Sequence, residues 1–217
     1  MESGKELQRR VLDELDWEPS VNAAHIGVAV TDGVVTLSGS VDTYTEKVTA
    51  EQAAKRLRGV KAVANDLEVR PPFPAQLNDT EIAQAVVRAL EWHVSVPHER
   101  IKARVTNGMV ALEGSVDSWY QRQEAEAAAR GLKGVKGIAN LITIQPALKA
   151  ADVKTRIESA FRRSAEIDAN RIQVETTDGT VTLRGHVRSW TERQEAERAA
   201  WAAPGVVEVD DELKVGL

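Results

Sequence analysis

The sequence contains no cysteine. Disulfides, a thiolate nucleophile and a cysteine-ligated metal are therefore excluded. Excess positive charge is also missing. The formal net charge is −5, so the bulk field repels nucleic acid and anionic membranes, and any such contact must come from a local patch. No apolar run approaches the eighteen or so residues that span a bilayer. The start, Met1-Glu2-Ser3-Gly4-Lys5-Glu6, has no basic segment leading into an apolar one. On that basis the chain is expected in the cytoplasm, at most peripheral to the inner membrane. Catalytic signatures are lacking too. His93 and His98 are five apart and do not share a helical face. His25 and His186 stand in no metal-binding pattern. No Gly-Lys-[Ser/Thr] follows the glycine-bearing segments, and no nucleophile elbow is present. The sequence thus points away from an enzyme, a metal and a cofactor, and a basic nucleic-acid motif is absent.

What is present is an ordinary soluble composition, 42% hydrophobic and 28% charged, and one short stretch used three times. It reads Asp32-Gly33-Val34-Val35-Thr36-Leu37-Ser38-Gly39. It returns from Asn107-Gly108 to Gly114 and from Asp178-Gly179 to Gly185, at offsets of 75 and 71 residues. Asp-Gly or Asn-Gly ahead of alternating apolar residues is a hairpin signal, because both central residues of a type I′ turn need positive φ. Gly33, Gly108 and Gly179 are read as turn glycines. Gly39, Gly114 and Gly185 are read as places of a bend or of the close approach of a helix. A later glycine, Gly59, Gly134 or Gly205, precedes a valine in each copy. A period near 70 suits tandem small domains rather than a solenoid.

Each copy reads as α-β-β-α-β. In the first, Leu7, Val11 and Leu15 space a helix capped by Ser3 and Glu6, ending at Trp17 before Pro19. Ile26, Val28 and Val30 form a strand, and Val35, Leu37 and Val41 its partner. Thr43-x-x-Glu46 opens a second helix with Ala50, Ala53, Ala54 and Leu57 on one face. Arg58-Gly59 ends it, and Val63, Leu67 and Val69 form the last strand. Ser118-x-x-Gln121 and Ser189-x-x-Glu192 open the matching helices later. Pro71-Pro72-Phe73-Pro74 and Pro146 mark linkers. The predicted class is α+β. Three tandem αββαβ domains at 3–70, 77–145 and 149–217 each pack a three-stranded mixed sheet on two helices, with a right-handed parallel crossover. Exposed sheet edges lead us to expect that the copies pack on one another.

These motifs resemble the BON domain, named for bacterial OsmY and nodulation proteins. The resemblance rests on the repeated Gly-x-Val-x-Leu-x-Gly, the capped second helix and the later Gly-Val, and it covers nearly the whole chain. It implies a bacterial, non-catalytic domain of envelope or osmotic-stress proteins, associated with phospholipid interfaces or with holding other proteins. Most members are exported, some as lipoproteins. This chain shows neither a signal peptide nor a lipidation cysteine. A cytoplasmic member that binds potassium adds ion sensing to the implied functions.

The aromatics carry the remaining interest. Trp17 and Trp92 end first helices, where Arg163 takes the third place. Tyr44, Trp119-Tyr120 and Trp190 begin second helices. Such rings either pack against a neighbouring repeat or anchor at headgroup depth. The candidate lipid-binding set is Arg184, Arg188, Trp190, Arg193, Trp119 and Tyr120. Each basic residue near an anionic surface would contribute about 1 kcal/mol. The expected partner is anionic phospholipid. Protein clients held by sheet edges or inter-repeat grooves are the alternative, and potassium or a small ligand the third reading.

Overall fold

The computed structural model describes residues 4–72, 77–145 and 152–216. Ser3, Phe73, Pro74 and Pro146, which enter the expected first cap and linkers, lie outside the described residues. Repeat one runs α1 (Gly4–Trp17), β1 (Ile26–Thr31), β2 (Val34–Val41), α2 (Tyr44–Arg56) and β3 (Ala62–Val69). Repeat two follows with α3 (Asp79–Trp92), β4 (Ile101–Thr106), β5 (Met109–Val116), α4 (Trp119–Arg130) and β6 (Gly137–Ile144). Repeat three has α5 (Val153–Arg163), β7 (Ile172–Thr177), β8 (Thr180–Val187), α6 (Trp190–Trp201) and β9 (Glu208–Val215). β1 is antiparallel to β2 and β3 parallel to it, with Val28 opposite Leu37 and Val35 opposite Val63. The same register recurs in the other two sheets.

The hairpins close as the Asp-Gly and Asn-Gly pairs predict. Asp32 and Gly33 have φ of 53° and 86°, and the later pairs repeat this. The turn also anchors the third strand: Lys61 N donates to Gly33 O at 2.8 Å, and Lys136 N to Gly108 O at 2.9 Å. The second glycine meets backbone rather than a helix side. A Cβ on Gly39, Gly114 or Gly185 would lie 2.0–2.1 Å from the carbonyl oxygen of His25, Arg100 or Arg171. Those carbonyls end short 3₁₀ turns at Ala23–His25, His98–Arg100 and Ala169–Arg171, which lacked a sequence signal. The third glycine differs from expectation. Gly59 does not cap α2, which stops at Arg56. It takes φ of 98° inside a Leu57–Val60 turn closed by Val60 N donating to Leu57 O at 3.3 Å. This is the position where a type II turn requires positive φ. In repeat three Pro204 precedes Gly205, the pairing such a turn favours.

Each repeat buries its own core. Val11, Leu15, Val35, Leu37, Ala50, Ala53 and Ala54 are fully buried in repeat one, and the alanines let α2 lie close on the sheet. Asn78 and Glu81 form the reciprocal cap of α3. The second helices do something else. Thr43 Oγ1 accepts from Glu46 N, but the Glu46 carboxylate passes its own cap and accepts from Asp42 N at 3.0 Å and Asn22 N at 2.7 Å. Glu192 does the same with Arg188 N and Asp168 N, at 2.7 and 2.8 Å. These carboxylates are buried and clip the loop before the first strand to the second helix.

Candidate functional site

The second helices join the repeats. Tyr44, Trp119 and Trp190 are the first residues of α2, α4 and α6. Each meets the next repeat at one equivalent place, held in turn by Arg130, Trp201 and Lys55. Tyr44 packs on the core of repeat two, and its neighbour Thr45 donates through Oγ1 to Arg130 O at 3.3 Å. Burial, and then the charge of Glu126, push the Tyr44 hydroxyl pKa up. Trp119 stacks on Trp201 of repeat three, ring centres 6.3 Å apart and planes 9° from parallel. Trp190 packs on the core of repeat one with Lys55 Nζ 5.6 Å from its ring centre, and Arg193 lies over the same ring at 4.9 Å.

These contacts run in one direction: one to two, two to three, three back to one. Heterologous contacts of this kind close into a ring when the rotation allows it, and here they close after three. The copies do pack on one another, but through helix ends rather than sheet edges. The edges formed by β3, β6 and β9 are blunted from within. Asn65 Oδ1 accepts from Leu67 N, and Lys47 Nζ donates to Leu67 O at 2.7 Å. Asn140 and Asp211 repeat the first of these contacts. Such capping of unpaired strand groups discourages pairing with another chain.

Each repeat has an equivalent position at the end of its first helix. Trp17, Trp92 and Arg163 are such positions, at the ends of α1, α3 and α5. Trp17 is 84% and Trp92 85% exposed. Rings exposed to that extent contribute little to packing within the described residues.

The residues singled out from the sequence are dispersed. Arg184 Nε pairs with Glu212 at 2.8 Å and its Nη1 with Glu175 at 2.7 Å. Arg188 pairs with Glu192 at 3.0 Å and donates to Glu166 O. Arg193 pairs with Asp211 at 2.6 Å. Hydrogen bonds to Glu212 and Glu192 raise the pKa values of Arg184 and Arg188 further. Trp190 and Arg193 are brought together. Trp119 stands at a different junction. Tyr120 is 56% exposed. Trp201 and Lys55, which complete two junctions, were not picked out from the sequence. The signal that finds them is their shared place with Arg130 in the repeat alignment. Among the described residues no group of three or more His, Asp or Glu could hold a metal ion, and no helix is long and apolar enough to cross a membrane.

Fold and junctions together define a tandem-repeat α+β binding protein built as a closed trio. The chain belongs to the BON domain family, whose model matches residues 3–71, 78–146 and 149–216, and which is a family of non-catalytic binding modules. It is 31% identical over 146 residues to osmotically-inducible protein Y of Escherichia coli, covering 64% of this chain and 73% of that one. It is 27% identical over 147 residues to the outer membrane lipoprotein DolP of Haemophilus influenzae, covering 64% and 74%. A solved structure of CdsD, a structural protein of the type III secretion system of Chlamydia trachomatis, aligns over 96% of this chain and 91% of its own. Its TM-score is 0.26 with 14% identity, too low to carry an argument. The relatives correct the expectation of a cytoplasmic chain. One is by name an outer membrane lipoprotein, and the likeness points to an extracytoplasmic setting. The expectation rested on the character of the first residues, which alone does not set a compartment.

Proposed function

We propose that this protein is a non-enzymatic envelope module of the osmotic-stress type that docks on phospholipid surfaces through Trp17 and Trp92. The carrying observation is the exposure of both indoles at equivalent places in the ring. Indoles favour the headgroup region, where an apolar ring and a polar N–H are both accommodated. Both indoles belong to one chain, so once one has entered the surface the second binding event is intramolecular. The names of the relatives, one osmotically inducible and one an outer membrane lipoprotein, support this setting. Arg184, Arg188 and Arg193 are a weaker basis for lipid contact because each already holds a carboxylate. Strand addition by a protein client has less support, since Asn65, Asn140 and Asp211 cap their own strand edges.

The test is co-sedimentation with phosphatidylglycerol and phosphatidylcholine vesicles, with tryptophan emission recorded alongside. We expect a blue shift and pelleting with the anionic vesicles, both lost in W17A/W92A. Absence of wild-type binding at low and physiological salt would reject the reading.

A further inference from the structure

Repeat one contains an internal control for repeat three. Between the end of α1 and the end of α2, Arg56 pairs with Glu14 at 3.2 Å and Glu18 at 3.0 Å. Arg10 reaches across and donates to Arg58 O at 3.2 Å. This space is filled by long side chains and neutralised by carboxylates.

The same place in repeat three has been emptied. At the positions 146 residues further on, Asp13, Glu14 and Glu18 become Ser159, Ala160 and Ser164, so three carboxylates are gone. Arg56, Leu57 and Arg58 become Ala202, Ala203 and Pro204, which removes the filling bulk. What remains is a groove of about 390 Å³ between α5 and the end of α6. Arg56 and Arg58 have gone with the acids, but two other cations are present. Arg156 stands where Arg10 stands, and Arg163 replaces Trp17. Both line the groove, with Ser159 between them and Asp152 as the one carboxylate at its edge. Neither guanidinium group has a hydrogen bond or ion pair among the described residues. Arg156 and Arg163 are seven residues apart on one helix, two turns or about 10 Å, so both guanidinium groups can converge on one anion near Ser159.

We infer that this α5–α6 groove binds a phosphate group, gripped by Arg156 and Arg163 with the Ser159 hydroxyl donating, in the place where repeat one holds the carboxylate of its own Glu14. Arginine suits this ligand because its planar donors match phosphate oxygens in pairs. As a lipid site it rests on the membrane reading above, since Arg163 occupies the position equivalent to Trp17 and Trp92. The headgroup phosphate would then be held at the third corner while the two indoles enter the surface. A free phosphate would meet the same contacts, and the experiment separates the two sources.

The full-length chain is titrated with inorganic phosphate against chloride at equal ionic strength, following the arginine Nε–H resonances by NMR. The same protein is then sedimented with phosphatidylglycerol vesicles. Two variants are compared with it, R156Q/R163Q and A160E, the second restoring the acid of repeat one at a half-buried position of the groove. Phosphate-dependent shifts of Arg156 and Arg163 that vanish in A160E, while phosphate moves no other arginine in R156Q/R163Q, support the site. Vesicle binding about thirtyfold weaker in R156Q/R163Q, as two basic contacts imply, makes the source a headgroup. Phosphate shifts with vesicle binding unchanged make it free phosphate. Should the wild type bind vesicles through Trp17 and Trp92 while phosphate moves neither arginine, the groove is not a site and the membrane reading stands. Phosphate shifts in a protein that binds no vesicle leave the site standing and reject the membrane reading.

Discussion

Lys55 of repeat one lies over the ring of Trp190 of repeat three, 5.6 Å from its centre, and this contact closes the chain on itself. It is the one junction of the three between repeats that are not consecutive in sequence. It also has a flaw, since the Trp190 indole N–H is buried without an acceptor among the described residues. An unsatisfied buried donor costs about 1–3 kcal/mol. We therefore expect W190F to keep the junction with little loss or a small gain in stability. W190A should open the trio, read as a larger radius of gyration in solution scattering. An unchanged scattering profile for W190A would show that this junction does not hold repeat three in place.

The Trp119–Trp201 stack predicts a coupling between residues far apart in the chain. A double-mutant cycle with W119A and W201A should return about 0.5–1.5 kcal/mol of interaction beyond the single losses, measured by denaturant unfolding. Additive losses would mean that the rings only touch.

Gly39 and Gly131 make opposite predictions for the same substitution. Gly39 has φ of 115°, and a Cβ there would stand 2.1 Å from His25 O. G39A should cost more than about 2 kcal/mol and disrupt repeat one. Gly131 caps α4 at φ of −83° with open space around it. G131A should be neutral or stabilising by up to about 1 kcal/mol. Thermal melts of the two variants decide this.

Glu192 predicts a pH dependence. Burial alone would raise its pKa, but N–H groups of Asp168 and Arg188 and the Arg188 guanidinium outweigh this and hold it below the ordinary 4.5. Because the folded-state value is depressed, its stabilisation is in full force above the unfolded value. It is lost as pH falls through the folded one. E192Q, which copies Gln121 of repeat two, should flatten the acid side of the melting temperature against pH. An acid limb equal to the wild type's would mean that other carboxylates set it.

The parts legible in the sequence are those decided within a few residues. The Asp32-Gly33 turn, the alternation through Val35 and Leu37 and the alanine face of α2 all follow from local sterics and periodicity. The role of Gly39 was legible only as a close approach, because the carbonyl it meets belongs to a 3₁₀ turn without a sequence signature. Glu46 and Glu192 sit at the spacing of a reciprocal cap and yet bind the N–H before it, because a second donor from the preceding loop draws the carboxylate inward. The arginines of repeat three read as a patch in one dimension, whereas Glu175 and Glu212 reach Arg184 from neighbouring strands. Trp201 escaped notice because its partner is in another repeat, and pairing across repeats has no local period.

The direction of the helix-end contacts limits how many copies can be joined. A stacked array adds units indefinitely and needs special terminal units to shield its ends. In this chain the surface that would receive a fourth unit, around Lys55, is already taken by Trp190. The junction counts to three and stops, so adding a copy by duplication would leave that copy without a berth instead of lengthening a rod.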